Sequence, residues 1–137
     1  MFFKKEKNDE KKPNLEYVVA LLIHAAKIDE KFTEKEEKII NKFLIELGED
    51  EQNIHSIIEN SKKIEENSNQ MLDFTREIKN MGENEKIKII ETLWRIIFSN
   101  KEVDMYESNL MRRLGGLLYI DNKSMGNIKE KIEKENL

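Results

Sequence analysis

The chain of 137 residues has no cysteine, only one proline and only five glycines. The absence of cysteine excludes disulfide bonds, thiolate metal sites and a thiol nucleophile. Because proline and glycine favour turns, their scarcity predicts few turns. Val, a strong strand former, occurs only at Val18, Val19 and Val103. These scarcities predict long helices rather than a sheet.

The chain also lacks a long apolar run and a sustained basic face. Its longest apolar stretch, Tyr17 to Ile23, is far shorter than the roughly 20 residues that a membrane span needs. No apolar signal segment follows the start, and Phe2–Phe3 alone would anchor the chain only weakly. The net charge of −4, with acids and bases interspersed, argues against nucleic-acid binding. We expect a cytoplasmic protein without stable membrane insertion.

The most informative feature that is present is an internal repeat. Residues 22–47 align with residues 93–118 at a constant offset of 71 positions. The matched pairs include Asp29 with Asn100, Phe32 with Val103, Thr33 with Asp104, Glu36 with Glu107 and Leu47 with Leu118. Each copy is predicted to be a helix end, a polar turn, a capping residue and a second amphipathic helix. Such a repeat predicts one helical domain built from two similar halves.

Apolar residues at spacings of three and four predict seven helices in one domain over residues 14–137, after a disordered charged tail over residues 1–13. The expected helices cover about 14–28, 34–47, 50–61, 67–81, 84–98, 105–118 and 121–137. Gly48 and Gly82 are expected to end helices. The apolar pattern is weakest over residues 62–68, where we expect a kink or a loop.

Two turns concentrate acidic side chains. In each, a capping residue is followed three positions later by Glu, which is the pattern of a capping box, and acids near a helix start also favour its dipole. Clustered oxygen ligands also suit Ca²⁺ or Mg²⁺. The candidate ligands are Asp29, Glu30, Glu34 and Glu36 in the first turn, and Asn100, Glu102, Asp104 and Glu107 in a weaker second turn. Neither turn follows the EF-hand pattern, because neither has Glu at the twelfth position.

Several other side chains have both a structural and a functional interpretation. We interpret His24 as a core or boundary histidine and Trp94 as a buried anchor rather than a binding platform. The four arginines either bind a phosphate or an acidic partner, or pair with acids such as Glu91 and Glu107 to hold helices together, and pairing is favoured. These arginines are Arg76, Arg95, Arg112 and Arg113.

The two turns resemble those of the tellurite-resistance TerB family, in which an Asp-Gly turn precedes a hydrophobe and a helix-starting Glu in each half. The first copy here runs from Ala25 to Phe32 and closes at Glu36. The second runs from Leu93 to Val103 and closes at Glu107. Segments 74–76, 91–95 and 110–114 are also similar to the family, so the resemblance covers about residues 15–132. The sequence departs from the family by Glu30 in place of Gly and by Asn100-Lys101 in place of Asp-Gly.

The resemblance implies an all-α, TerB-like bundle with two pseudo-symmetric helix-turn-helix halves, related to a domain of membrane-associated co-chaperones. It also implies a role in tellurite or envelope stress response. Divalent-cation binding has been suggested for the acidic turns of the family, and in this chain the implication survives only for the turn at residues 29–36.

No catalytic constellation is visible, since there is no glycine-rich phosphate loop, no nucleophile beside a histidine and no carboxylate–histidine metal set. We therefore predict a non-enzymatic module that binds a protein partner. One alternative is a divalent-cation sensor that uses the turn at residues 29–36, and a divalent cation is the only cofactor considered. A second is a carboxylate enzyme that uses Glu36 and Glu107, brought together across the pseudo-twofold axis.

Overall fold

A computed structural model describes residues 15–27, 32–67, 72–99 and 105–135. This part of the chain contains no β-strand, and it confirms the prediction of an all-α fold of about seven helices. The helices are α1 Leu15–Ala26, α2 Glu34–Glu46, α3 Glu51–Asn67, α4 Leu72–Ile78, α5 Glu83–Phe98, α6 Met105–Leu117 and α7 Asn122–Glu135. The predicted tail over residues 1–13 lies outside the described residues.

The helix α1 lies at the centre of the bundle. All six residues from Val18 to Ile23 are fully buried, and Ala25 and Ala26 are nearly so. A helix that is apolar on every side must be covered on every side. The coverage comes from α3 most extensively, followed by α4, α5 and α2.

The helix α5 is the second central element. It packs mainly against α7 and also contacts α1 and α2. Its buried apolar residues recur along the helix and are Ile89, Ile90, Leu93, Trp94, Ile96 and Ile97. Because α1 and α5 contact each other, the two copies of the repeat share one core.

The 71-residue offset recurs in the helix bounds. The helices α2 and α6 begin at residues 34 and 105 and end at residues 46 and 117. The helices α3 and α7 begin at residues 51 and 122. Asp50 and Asp121 cap these last two helices in the same way, each accepting a backbone hydrogen bond from the residue three positions later. Superposition of the two halves stays a prediction.

The end of α2 forms the hydrogen-bond pattern of a Schellman motif, in which one residue adopts a left-handed conformation. The Gly48 N–H donates to the Ile45 carbonyl at 2.9 Å, and the Glu49 N–H donates to the Leu44 carbonyl at 3.1 Å. Gly48 has a φ of 93°, which a residue with a side chain rarely adopts. The prediction that Gly48 ends this helix is confirmed.

Helix α3 differs from its expected bounds. It continues without a break to Asn67, so the kink or loop expected over residues 62–68 is wrong as far as residue 67. The reason is a contact across the bundle, because Glu65 is buried and both of its carboxylate oxygens have partners on or beside α1. Asn67 therefore belongs to α3 rather than to α4, which spans Leu72–Ile78 in the described part of the chain. The expectation that Gly82 ends α4 is wrong, because α4 ends at Ile78 and Gly82 is the N-cap of α5.

Candidate functional site

The described part of the first acidic turn is a complete capping box. The Glu36 N–H donates to Thr33 Oγ1 at 3.3 Å, and the Thr33 N–H donates to Glu36 Oε1 at 2.8 Å. The Thr33 hydroxyl donates to the same carboxylate oxygen at 3.0 Å. The predicted start of α2 after Thr33 is therefore confirmed. The other predicted ligands, Asp29 and Glu30, lie outside the described residues.

The geometry of this turn limits what it can offer a cation. Glu36 is 1% exposed, and its Oε1 atom already accepts two hydrogen bonds, so this oxygen could bind an ion only by breaking the cap. Glu34 is exposed at the helix start. Within residues 15–27, 32–67, 72–99 and 105–135, no three histidine, aspartate or glutamate side chains are placed to share one metal ion. Cation binding at residues 29–36 stays a prediction.

In the second turn, the structure describes only one of the predicted ligands. Glu107 is 2% exposed, which matches the burial of Glu36 at the equivalent position. Asn100, Glu102 and Asp104 lie outside the described residues. Neither Glu36 nor Glu107 lines the apolar groove or the basic pocket defined below. The carboxylate-enzyme hypothesis therefore gains no support from these two cavities.

His24 joins two helices rather than facing a ligand cavity. Its Nδ1 atom lies 3.2 Å from Glu65 Oε2, and its ring lies 5.6 Å from the ring of Phe74. The Lys27 ammonium donates to Glu65 Oε1 at 2.7 Å, so Glu65 is bridged by two side chains. The interpretation of His24 as a boundary histidine is confirmed.

Arg95 forms an interhelical ion pair, but its partner is not the one expected. Its Nε and Nη2 atoms donate to the two carboxylate oxygens of Glu135 on α7, at 3.0 and 3.1 Å. Glu91 instead accepts from Lys131 at 2.6 Å. The hydrogen bonds from Arg95 lower the pKa of Glu135 below its ordinary value, and the pairing raises the pKa of Arg95.

Trp94 is buried, at 4% exposure, which confirms the prediction that it is an anchor. Its ring stacks on Phe98 at 5.5 Å, and the Lys129 ammonium lies 5.4 Å from the ring centroid. The indole Nε1 is buried and has no hydrogen-bond partner within the described part of the chain. The ring contributes apolar packing between α5 and α7 rather than a surface for ligands.

An open apolar groove lies where α1, the end of α2 and the start of α5 meet. Its volume is about 270 Å³. It is lined by Leu15, Val18, Phe43, Leu47, Glu49, Met81, Glu85 and Ile89, which we call the apolar groove. Six of the eight lining residues are apolar, the other two are glutamates, and none is basic. A cavity this small is below the usual size of cofactor sites, and it suits a few side chains of another segment.

A second cavity has the opposite charge. Its volume is about 280 Å³, and it lies between the last turn of α4 and the end of α6. It is lined by Thr75, Arg76, Lys79, Gly116, Leu117 and Tyr119, which we call the basic pocket. Arg76 and Lys79 are both exposed at its edge, and no carboxylate is among the lining residues.

Tyr119 occupies an unusual backbone position in this pocket. Its φ is 60°, the left-handed conformation, and its side chain is 73% exposed. The Tyr119 N–H donates to the Gly116 carbonyl at 3.3 Å, and the Ile120 N–H donates to the Gly115 carbonyl at 2.9 Å. This is the Schellman pattern that Gly48 forms 71 positions earlier. A large exposed side chain therefore stands where glycine would be less strained.

Lys86 forms a hydrogen bond with the same end of α6. It is only 8% exposed, and its ammonium donates to the Leu118 carbonyl at 3.1 Å. It also lies 5.8 Å from the centroid of the Tyr119 ring. A cation at the carboxyl end of a helix stabilises the partial negative charge there.

Comparison with protein families identifies the chain. The family model described as "Tellurite resistance protein TerB" matches residues 16–130, which includes all seven helices at least in part. The chain belongs to the TerB family. The resemblance carried by the two turns is therefore confirmed at the level of the family. Searches of curated proteins and of solved structures find no significant match to the chain.

The match assigns this TerB-family domain to a tellurite-resistance family without assigning a ligand. None of the helices in the described ranges is both long and apolar enough to cross a membrane. In the sequence, the residues of the apolar groove are visible only as parts of helical stripes. Tyr119 was not predicted, although the 71-residue offset pairs it with Gly48, and that pairing is the signal that could have revealed it.

Proposed function

We propose that this TerB-family domain is a non-enzymatic module that binds a protein partner through the apolar groove. The observation that carries the proposal is the composition of the groove, with six apolar residues, two glutamates and no cation. The partner we infer is an amphipathic segment that places apolar side chains in the groove and a lysine or arginine beside the glutamates. In line with the family name, we place this role in a cytoplasmic tellurite or envelope stress response.

The apolar part of the groove supplies the affinity. Leu15, Leu47 and Met81 are half-buried and remain partly in contact with solvent, whereas Val18 and Ile89 form a fully buried floor. Covering the half-buried side chains removes apolar area from water, which is favourable by roughly 25 cal/mol per Å² before the costs of association. Because Val18 and Ile89 are already buried, the gain comes from the side chains of the partner that cover Leu15, Leu47 and Met81.

The glutamates supply the selectivity. Glu49 is half-buried and Glu85 is exposed at the edge of the groove. A basic residue of the partner gains a charge-assisted hydrogen bond at this edge, while an acidic residue is repelled. This complementarity distinguishes a basic amphipathic segment from an acidic one and argues against nucleic acid as the occupant.

The test uses a random peptide display library selected on the full chain. We expect enriched peptides to carry apolar anchors beside lysine or arginine, and their affinities are then measured by fluorescence anisotropy. Leu47→Glu should weaken binding by about tenfold or more, since it places a charge against the apolar anchor. Ile45→Glu is the matched control, because Ile45 lies on the same helix, is 58% exposed and does not line the groove.

A second pair of variants leaves the folded core untouched. Glu85→Lys should weaken the basic peptides severalfold, whereas Glu83→Lys, in the same helical turn but outside the groove, should leave their affinity nearly unchanged. Enrichment of acidic peptides, or equal losses in the two charge-reversal variants, would contradict the proposal.

A further inference from the structure

We propose that the basic pocket binds a phosphate monoester, with Arg76 and Lys79 on the phosphate and Tyr119 against the organic group. This inference is independent of the apolar groove, which lies elsewhere on the bundle and has the opposite charge.

The charge of the pocket is the first argument. The whole chain has a net charge of −4, yet the lining holds two cations and no carboxylate. Within the ranges that the structure describes, neither Arg76 nor Lys79 forms an ion pair. The guanidinium of arginine matches two phosphate oxygens with two parallel hydrogen bonds, and lysine adds a point charge. An anion at the mouth of the pocket therefore meets two cations that no carboxylate of the described residues neutralises.

The carboxyl end of α6 does not account for these cations. The carboxyl end of α6 carries partial negative charge and would attract a cation for structural reasons alone. At α6, however, the Lys86 ammonium already binds the Leu118 carbonyl, and the N–H groups of Tyr119 and Ile120 bind two further carbonyls. The Gly115, Gly116 and Leu118 carbonyls at the end of α6 are thus bound without Arg76 or Lys79.

The ring of Tyr119 indicates an ester rather than bare phosphate. The equivalent position in the first half carries Gly48, which forms the same turn without a side chain. At Tyr119 the chain instead holds an aromatic ring, 73% exposed, at the edge of the pocket. The volume of about 280 Å³ also exceeds what a phosphate ion fills, since one water occupies about 30 Å³. The remaining room and the ring suit an organic substituent.

The experiment is an NMR titration of the full chain at constant ionic strength with inorganic phosphate, O-phosphoserine, and a phosphoserine peptide beside its unphosphorylated form. We expect saturable shifts at the amides of residues 75–79 and 116–119, and tighter binding of the monoesters than of phosphate. A peptide that binds tighter than O-phosphoserine indicates a phosphorylated protein as the source, and equal affinity indicates a small phosphorylated compound.

Variants distinguish a specific phosphate site from nonspecific electrostatic attraction to the protein surface. Arg76→Gln should weaken O-phosphoserine binding by about tenfold, the effect of losing one charge-assisted interaction. Lys79→Gln should weaken it severalfold, whereas Lys38→Gln, which removes an exposed lysine from α2, should change it less than twofold. Tyr119→Gly should keep phosphate binding and abolish the advantage of the esters. Shifts that do not saturate, or equal losses in Lys79→Gln and Lys38→Gln, would overturn the proposal.

Discussion

Truncation of Trp94 should destabilise the fold strongly. It is 4% exposed, stacks on Phe98 and lies under Lys129, so truncation leaves a cavity between α5 and α7. We expect Trp94→Ala to lower the free energy of unfolding by about 3–5 kcal/mol, measured by urea denaturation. Trp94→Phe should lose markedly less, because it keeps a ring and removes the unpaired Nε1 donor. A loss below about 1 kcal/mol in the alanine variant would argue against its role as an anchor.

The paired positions Gly48 and Tyr119 should respond to substitution in opposite directions. Gly48 has a φ of 93°, and the space that an added methyl group would fill is open, so Gly48→Ala should destabilise by about 1–2 kcal/mol through backbone strain alone. Tyr119→Gly relieves the same strain and should leave stability unchanged or raise it by up to about 1 kcal/mol. Thermal unfolding of the two variants measures both effects, and a clear loss in Tyr119→Gly would show that its ring is a structural requirement.

Among the helices, α2 offers the clearest test of a cap. Thr33 satisfies the Glu36 N–H, so Thr33→Ala should destabilise the domain by about 1 kcal/mol in chemical denaturation. Glu34→Gln changes an exposed acid in the same turn outside the capping box and should cost clearly less. Equal effects of the two substitutions would show that charge near the helix start, rather than the box, stabilises α2.

The ion pair between α5 and α7 makes stability depend on pH. The folded-state pKa of Glu135 lies below its ordinary value of 4.5, first because Arg95 hydrogen-bonds to it. The pair therefore stabilises the fold fully above about pH 4.5, and this contribution is lost as the pH falls through the folded-state pKa. Both side chains are partly exposed, so we expect Glu135→Gln to cost about 0.2–1 kcal/mol at pH 7.

The control for this pair is Glu133→Gln, because Glu133 is exposed on the same helix. The difference between the two variants, measured by urea unfolding, should shrink as the pH falls through the folded-state pKa of Glu135, and it should also shrink in high salt. A difference that changes neither with pH nor with salt would assign the effect to packing rather than to charge.

At the scale of the whole molecule, cation binding by the two acidic turns can be tested directly. We expect at most millimolar to high-micromolar binding, located at residues 29–36, in calorimetric titrations with Ca²⁺, Mg²⁺, Mn²⁺ and Zn²⁺. Asp29→Asn should abolish such binding, whereas Asp104→Asn should mainly weaken the start of α6. Metal-induced NMR shifts centred on residues 100–107 would contradict this prediction, because they would locate the stronger site in the second turn.

The sequence predicted those parts of the fold that depend on neighbouring residues. Thr33 and Glu36 are three positions apart, so their capping box is visible without knowledge of the rest of the chain. The continuation of α3 to Asn67 was not predictable in this way, because Glu65 is held by His24, which lies 41 positions away. The pairing of Arg95 with Glu135, 40 positions away, was missed for the same reason.

The two cavities could not be predicted from the sequence either. The stripes of α1 and α5 predict which faces are apolar, but not that half-buried side chains around Leu47 leave an open groove between them. The basic pocket brings Arg76 of α4 next to the end of α6, and no spacing in the sequence indicates that approach. Burial and charge patterns therefore predicted the core, while the surfaces depend on how the helices are placed against one another.

The position of Trp94 gives the molecule a built-in optical probe. It is the only tryptophan of the chain, so its emission comes from one environment, the contact between α5 and α7. The folded protein should emit at short wavelength, because the indole is shielded from water, and the spectrum should shift to the red when α7 separates from α5. Unlabelled protein can thus report separation of these two helices in stopped-flow time, independently of helix content measured by circular dichroism.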